Sequence, residues 1–180
     1  MKPRIYLAGA IRDDHPEDIS WREHVIEMVQ YRAIWLNPLA SKTFDPETKN
    51  WTMSGIQPKA SVIVPHDFWM VEHSDVIVFN LTSMQEGYPS IGSLVEFGHA
   101  TGLHPRPLIY TVLDTSNFDS QVQKVFGKLH PFLEINSAVV FDSVDKLIDF
   151  LVRHLPALSG DNPHFNAKTT YVDWEEYDRG

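Results

Sequence analysis

The chain has 180 residues, 43% hydrophobic and 22% charged, which suits one globular domain with a substantial core. Its formal net charge of −9 argues against nucleic acid as a partner, and no apolar run approaches the length of a membrane span. Cysteine is absent, which excludes disulfides, a thiolate nucleophile and cysteine metal sites and fits the cytoplasm. In chain order, Arg4 to Ala10 reads as a buried strand ending in a glycine turn, with no secretory core ahead of it. Asp18 to about Gln30 reads as a helix with Trp21, Val25, Ile26 and Val29 as its apolar stripe. Ala33 to Leu36 is a short second strand stopped by Asn37-Pro38. Residues 39–58 are polar and turn-forming and read as a long loop, of the kind that often forms a binding lid. A helix is expected from about His66, after Pro65, followed by a third strand, Asp75 to Asn80. Ser90 to Gly102 is a helix and Pro107 to Val112 a fourth strand. Residues 121–129 read as helix, 138–141 as a fifth strand and 144–155 as a closing helix.

Strands alternating with helices argue a parallel sheet covered on both faces. The composition changes at Ser159-Gly160-Asp161-Asn162-Pro163, a cluster of helix and strand breakers. The expected organisation is an α/β domain over residues 1–158 and a polar tail over 159–180. The tail carries Tyr171, Trp174 and Tyr177, which suggests docking, on a neighbouring subunit or elsewhere.

The most informative segment is Ser90-Ile91-Gly92-Ser93-Leu94-Val95-Glu96-Phe97-Gly98-His99-Ala100. At a period of 3.6, Ile91, Leu94, Val95, Gly98 and Gly102 share one face, expected to pack on the sheet. Glu96 lies off that face, on the same flank as Gly92 one turn earlier. A carboxylate therefore stands beside a position without a side chain, above the carboxyl end of a strand, where α/β proteins bind ligands.

Three features stand together: Ile5-Tyr6-Leu7-Ala8-Gly9 at the first strand end, His66-Asp67 with Asp75 eight residues later, and the Glu96 helix. This set resembles the nucleoside 2-deoxyribosyltransferase family over roughly residues 4–112. The resemblance implies a flavodoxin-like single domain, with five parallel strands in the order 2-1-3-4-5 and helices on both faces. It also implies cleavage of the N-glycosidic bond of 2′-deoxynucleosides, with no cofactor and no metal. Glu96, in Glu96-Phe97-Gly98-His99-Ala100, matches the family's nucleophile. Asp67 matches the acid near the leaving base, and Tyr6 the tyrosine that orients the nucleophile. Ile11-Arg12 after the turn at Gly9 resembles the phosphate side of the branch that hydrolyses 2′-deoxynucleoside 5′-monophosphates. Ser90, six residues before Glu96, also resembles that branch, where transferases acting on free nucleosides often carry an aspartate. A hydroxyl and free N–H groups at a helix start attract a phosphate that a carboxylate would repel. Asp13 and Asp14 depart from the glycines of the hydrolase branch. Trp21-Arg22 and Asn37-Pro38 resemble recurring pieces of less studied relatives, and Ser116-Asn117 is similar to a loop that meets substrate across a subunit interface.

The chemistry follows from general principles as well. An N-glycosidic bond breaks through an oxocarbenium-like state, which a carboxylate stabilises and can trap covalently. A second acid eases departure of the base by protonating or hydrogen-bonding it. If another base then attacks, the enzyme is a transferase; if water attacks, it is a hydrolase. The substrate-binding set is Ser90, Gly92, Arg12, Gly9, Ile11 and Asn117, and the partners are a small deoxynucleoside or deoxynucleotide and further copies of the chain. Plainer roles exist for each residue. Glu96 is at home as a solvated helix acid, Asp67 and Ser90 as helix caps, and Tyr6 as core. Arg12 has Asp13, Asp14 and Glu17 as nearby ion-pair partners, and Asp75 reads as structural. Trp51, Trp69 and Met70 suit either base stacking or core, and His99 packing or solvent. Gly9, Gly87 and Gly92 lack the spacing of a dinucleotide fingerprint. Two other readings of the chain are a non-catalytic nucleotide-binding module and a metal-dependent phosphohydrolase built on His66-Asp67 and Glu72-His73.

Overall fold

The computed structural model describes residues 2–12, 15, 17–40, 42–45, 50–52, 59–85, 90–114 and 129–158. The tail from Ser159, the loop residues Asp13, Asp14, Gly87, Ser116 and Asn117, and the helix expected over 121–129 (Leu129 excepted) lie outside the described residues.

The elements are β1 (Arg4–Gly9), α1 (Glu17–Val29), a 3-10 turn (Gln30–Arg32), β2 (Ile34–Leu36), β3 (Thr43–Asp45), β4 (Asn50–Thr52), α2 (Ala60–Glu72) and β5 (Val76–Asn80). Then come α3 (Thr82–Gln85), α4 (Ile91–Gly102), β6 (Leu108–Val112), α5 (Pro131–Glu134), β7 (Val139–Phe141) and α6 (Val144–Leu158). Five parallel strands form one sheet in the order β2-β1-β5-β6-β7. With the β3–β4 hairpin set aside, this is the order 2-1-3-4-5 that the resemblance implied.

Side chains alternate across each strand, so the sheet has two cores. Ile5, Leu7, Val76, Val78, Tyr110 and Val112 point to the side covered by α1 and α6, where Trp21, Val25, Leu147 and Leu151 meet them. Tyr6, Ala8, Ile77, Phe79 and Ile109 point to the other side, where Met70 and Val71 of α2 and Phe97 and Ala100 of α4 meet them. The expected α1 stripe holds: Trp21, Val25 and Val29 are buried, and Ile26 packs against the same cluster. The helix ends because Gln30 takes a left-handed φ of 53°.

Three expectations need correction. The loop over 39–58 contains the antiparallel β3–β4 hairpin, with Phe44 opposite Trp51 in register. Helix α2 begins at Ala60, not near His66. The N–H groups of Val62 and Ile63 already bond to Lys59 O, at 2.8 and 3.1 Å, so the first turn closes before Pro65 withholds its donor. The face of α4 is also different. Ser93, Phe97 and Ala100 are the buried positions, while Ile91 is 66% and Val95 53% exposed. A Cβ placed on Gly98 or Gly102 would meet nothing within 4 Å. Phe97 sets this phase, because its ring packs on Phe79 with centroids 5.0 Å apart while Ser93 and Ala100 let the helix approach the sheet. Leu94 is half-buried.

Candidate active site

The rotated phase of α4 carries Glu96 to the edge of the buried face. Glu96 lies three residues beyond Ser93 and four before Ala100, so it shares their side of the helix. Tyr6 leaves β1 toward the same side and is 1% exposed. Its hydroxyl donates to Glu96 Oε1 at 2.9 Å. Asp67, from α2, completes the group: its charge acts on both Tyr6 and Glu96. His66 Nδ1 lies 3.2 Å from Asp67 Oδ1. Three elements far apart in sequence thus bring the expected catalytic residues together.

The electrostatics of the group are unusual for a helix acid. Burial pushes the Glu96 carboxyl up to about 7, helped by the Asp67 charge. The Tyr6 hydrogen bond and the positive charges of Arg22 and Lys42 pull it back down. Burial also raises the Tyr6 phenol well above its ordinary value, with the Glu96 and Asp67 charges adding to it, so Tyr6 stays a donor.

Beneath the site, Arg22 holds the end of β1. It is fully buried and donates to Leu7 O at 3.1 Å, Gly9 O at 2.8 Å, Ala10 O at 3.3 Å and Asp18 O. Gly9 is tight against it: an added Cβ would stand 3.1 Å from Asn80 O, 3.3 Å from Arg22 Nη2 and 3.3 Å from Trp21 Cζ2. Sequence reading did not foresee these roles. A signal was present, since Arg22 falls on the Asp18, Trp21, Val25, Val29 stripe, where a charge is costly unless partnered. Lys42 was missed because its approach depends on how the chain returns from β2.

The remaining residues divide by position. Ser90 is 5% exposed and starts α4, but its hydroxyl donates to Ser93 Oγ at 2.8 Å instead of capping the helix. Gly92 faces open space, with nothing within 4 Å of an added Cβ. Ile11 is half-buried in the turn after β1. Arg12 turns to α1 and grips Asp18, with Nε–Oδ2 at 2.5 Å and Nη2–Oδ1 at 3.0 Å, a partner that was not weighed from sequence. Asp75 accepts from the Arg4 backbone N–H at 2.8 Å, which makes it structural as expected. His99 stacks on Phe68 and reaches Glu72 at 3.0 Å. Met70 is core, Trp69 is half-exposed against His73, and the Trp51 side chain is outside the described residues. Among the described residues no group of three or more His, Asp or Glu side chains forms a metal-binding cluster.

A sequence model of a family described as nucleoside 2-deoxyribosyltransferase like matches residues 2–114. The chain belongs to that family. The matched span contains β1, Tyr6, Asp67 and the whole of α4 with Glu96. No curated protein matches the sequence. Two solved structures share the fold. A conserved protein from Enterococcus faecalis V583 superposes with a TM-score of 0.59 at 16% identity, covering 86% of this chain and 99% of its own. A 2-desoxiribosyltransferase from Leishmania mexicana gives 0.53 at 17% identity, covering 84% and 98%. The family match marks the chain as nucleoside 2-deoxyribosyltransferase-like, and the two solved structures share its fold. No helix among the described residues is long and apolar enough to cross a membrane.

Proposed function

We propose that the chain is a cytoplasmic N-glycosyl enzyme that cleaves 2′-deoxynucleosides or their 5′-monophosphates through a covalent deoxyribosyl–Glu96 intermediate. The observation that carries this reading is the 2.9 Å hydrogen bond from buried Tyr6 to Glu96, with Asp67 facing the pair. The Tyr6 hydroxyl fixes one carboxylate oxygen and leaves the other to attack C1′. As the C1′–Glu96 bond forms, the N-glycosidic bond breaks and its electron pair goes to the base, which Asp67 hydrogen-bonds or protonates. A second base or water then attacks C1′, Glu96 leaves as a carboxylate, and Asp67 takes up the acceptor's proton. Gly9, Ile11 and Gly92 line the sugar, with Gly92 giving close access beside Glu96. Ser90 and the first N–H groups of α4 hold the 5′ end. Arg12 joins them by exchanging Asp18 for the substrate's phosphate, and Asn117 reaches the site of a neighbouring copy.

A homo-oligomer is part of the same proposal. Ile91 and Val95 project from α4 while Gly98 and Gly102 leave a notch on the same stripe. Two antiparallel copies of such a helix are self-complementary, as a two-fold interface requires.

The test is a panel of dAMP, dGMP, dCMP, dTMP and their nucleosides, each with and without a free acceptor base, followed by chromatography for released base. Wild type should release base, and Glu96→Ala should lower the rate by about 10⁴-fold or more while keeping its fold. Base release that survives Glu96→Ala would refute the nucleophile. A wild type that binds but releases nothing would make the protein a nucleotide-binding module. Ser90→Asp should impair monophosphates more than nucleosides; equal effects would move the 5′ end elsewhere.

A further inference from the structure

We propose that His66 is a positioning residue for Asp67: its ring Nδ1–H donates to one carboxyl oxygen of Asp67 and turns the other toward the departing base. This role rests on the deoxyribosyl reading of the site and adds a residue that the reading leaves without a task.

The geometry begins with how α2 is seated. Met70 and Val71 are its buried positions. Asp67 lies three residues before Met70 and four before Val71, so it shares their side of the helix and faces the sheet. His66 leaves the helix about 100° away, on the flank. Consecutive side chains on a helix do not ordinarily face each other. Here they do, with His66 Nδ1 3.2 Å from Asp67 Oδ1. The Asp67 side chain is 16% exposed and that of His66 37%, so the carboxyl is the inner member of the pair and the imidazole the outer one. The rotation of α2 is fixed from α4 as well, because His99 stacks on Phe68 with centroids 4.4 Å apart and reaches Glu72 at 3.0 Å.

The two acids of the site are then held alike. Tyr6 takes one oxygen of Glu96 at 2.9 Å, and His66 takes one oxygen of Asp67. A carboxyl held at one oxygen presents the other in a fixed direction, and fixed direction is what proton transfer to a bound base requires. In the form that protonates the base, Asp67 accepts from His66 at Oδ1 and carries its own proton on Oδ2. That proton passes to the base as the electron pair of the N-glycosidic bond arrives there, and Asp67 is left a carboxylate. His66 keeps its Nδ1 proton throughout, so a neutral imidazole suffices. When the acceptor attacks C1′, Oδ2 takes up the acceptor's proton and the pair is restored.

The test uses the full chain and paired substrates that differ in how much the base needs a proton to leave. If purines are cleaved, the pair is the preferred 2′-deoxynucleoside or 5′-monophosphate and its N7-methyl derivative, whose cationic base departs without taking a proton. If pyrimidines are cleaved, it is the preferred substrate and its 5-fluoro derivative, whose base departs more readily as an anion. His66→Phe keeps a ring and removes the donor. It should lower kcat about tenfold or more on the ordinary substrate but less than about threefold on its activated partner, with KM little changed. His66→Asn keeps an N–H at the δ position and should recover most of that loss. An equal loss on both members of a pair, no loss on either, or His66→Asn as slow as His66→Phe would each overturn the role of His66 while the deoxyribosyl reading stands. Wild type that releases base from no substrate would overturn that reading and the role of His66 with it.

Discussion

Glu96 is held between opposing influences. Burial and the Asp67 charge favour its neutral form, while the Tyr6 hydroxyl, Arg22 and Lys42 favour the ionised one, and the balance falls at about 7. A carboxylate nucleophile must be ionised, so kcat/KM should fall as pH drops through about 7. Tyr6→Phe deletes a donor to the ionised form and should move this acid limb upward by about one pH unit. A pH profile whose limb stays in place would detach Tyr6 from Glu96. The same shift affects stability with a definite sign. Between the ordinary value of 4.5 and about 7, the folded chain keeps a proton that the unfolded chain has lost. The stabilisation is therefore full below about 4.5 and is lost as pH rises through about 7. Urea titrations should show wild type losing roughly 2–3 kcal/mol relative to Glu96→Gln between pH 5 and 8. A pH-independent difference would contradict the buried setting of this carboxyl. At this scale the sequence showed that Glu96, Tyr6 and Asp67 belong together, because their motif context is local. It did not show the Arg12–Asp18 pair, since several acids compete for one guanidinium and only the loop path selects among them.

Elements position these residues through a few buried contacts. The end of β1 is fixed by Arg22, whose donors meet four backbone carbonyls in the space between β1 and α1. Arg22→Leu removes the guanidinium donors from those carbonyls and should cost about 3 kcal/mol or more, read as a lowered urea midpoint. A loss below about 1 kcal/mol would mean that water replaces the guanidinium. On α4, Phe97→Ala should cost about 3–4 kcal/mol because its ring fills the space against Phe79. An effect near zero would restore the face expected from sequence. That face failed for a physical reason: α4 carries apolar or small residues on more than one side, so periodicity alone leaves its rotation open. Helix α1 has charged residues around a single stripe, and its rotation was readable. The β3–β4 hairpin was unreadable because each strand has only three residues.

In the whole molecule, parallel pairing of β1 with β5 brings Gly9 opposite Asn80 and opens a crevice at the carboxyl edge where the strand order reverses. The proposed deoxyribosyl site uses the α2–α4 side of that edge. Assembly through the exposed α4 stripe is tested by Val95→Asp. Sedimentation should show wild type as a dimer or larger and the variant shifted toward the monomer; an unchanged distribution would place the interface on another face. The sequence by itself determined the α/β alternation, the family and the trio of Tyr6, Asp67 and Glu96, because hydrophobic period and short motifs are written in neighbouring residues. Only the tertiary structure decided which side of α4 meets the sheet, which acid Arg12 grips, and that Arg22 and Lys42 act on Glu96. Those outcomes depend on how space is filled and charge is partnered between segments distant in the chain, and no local pattern encodes such distances.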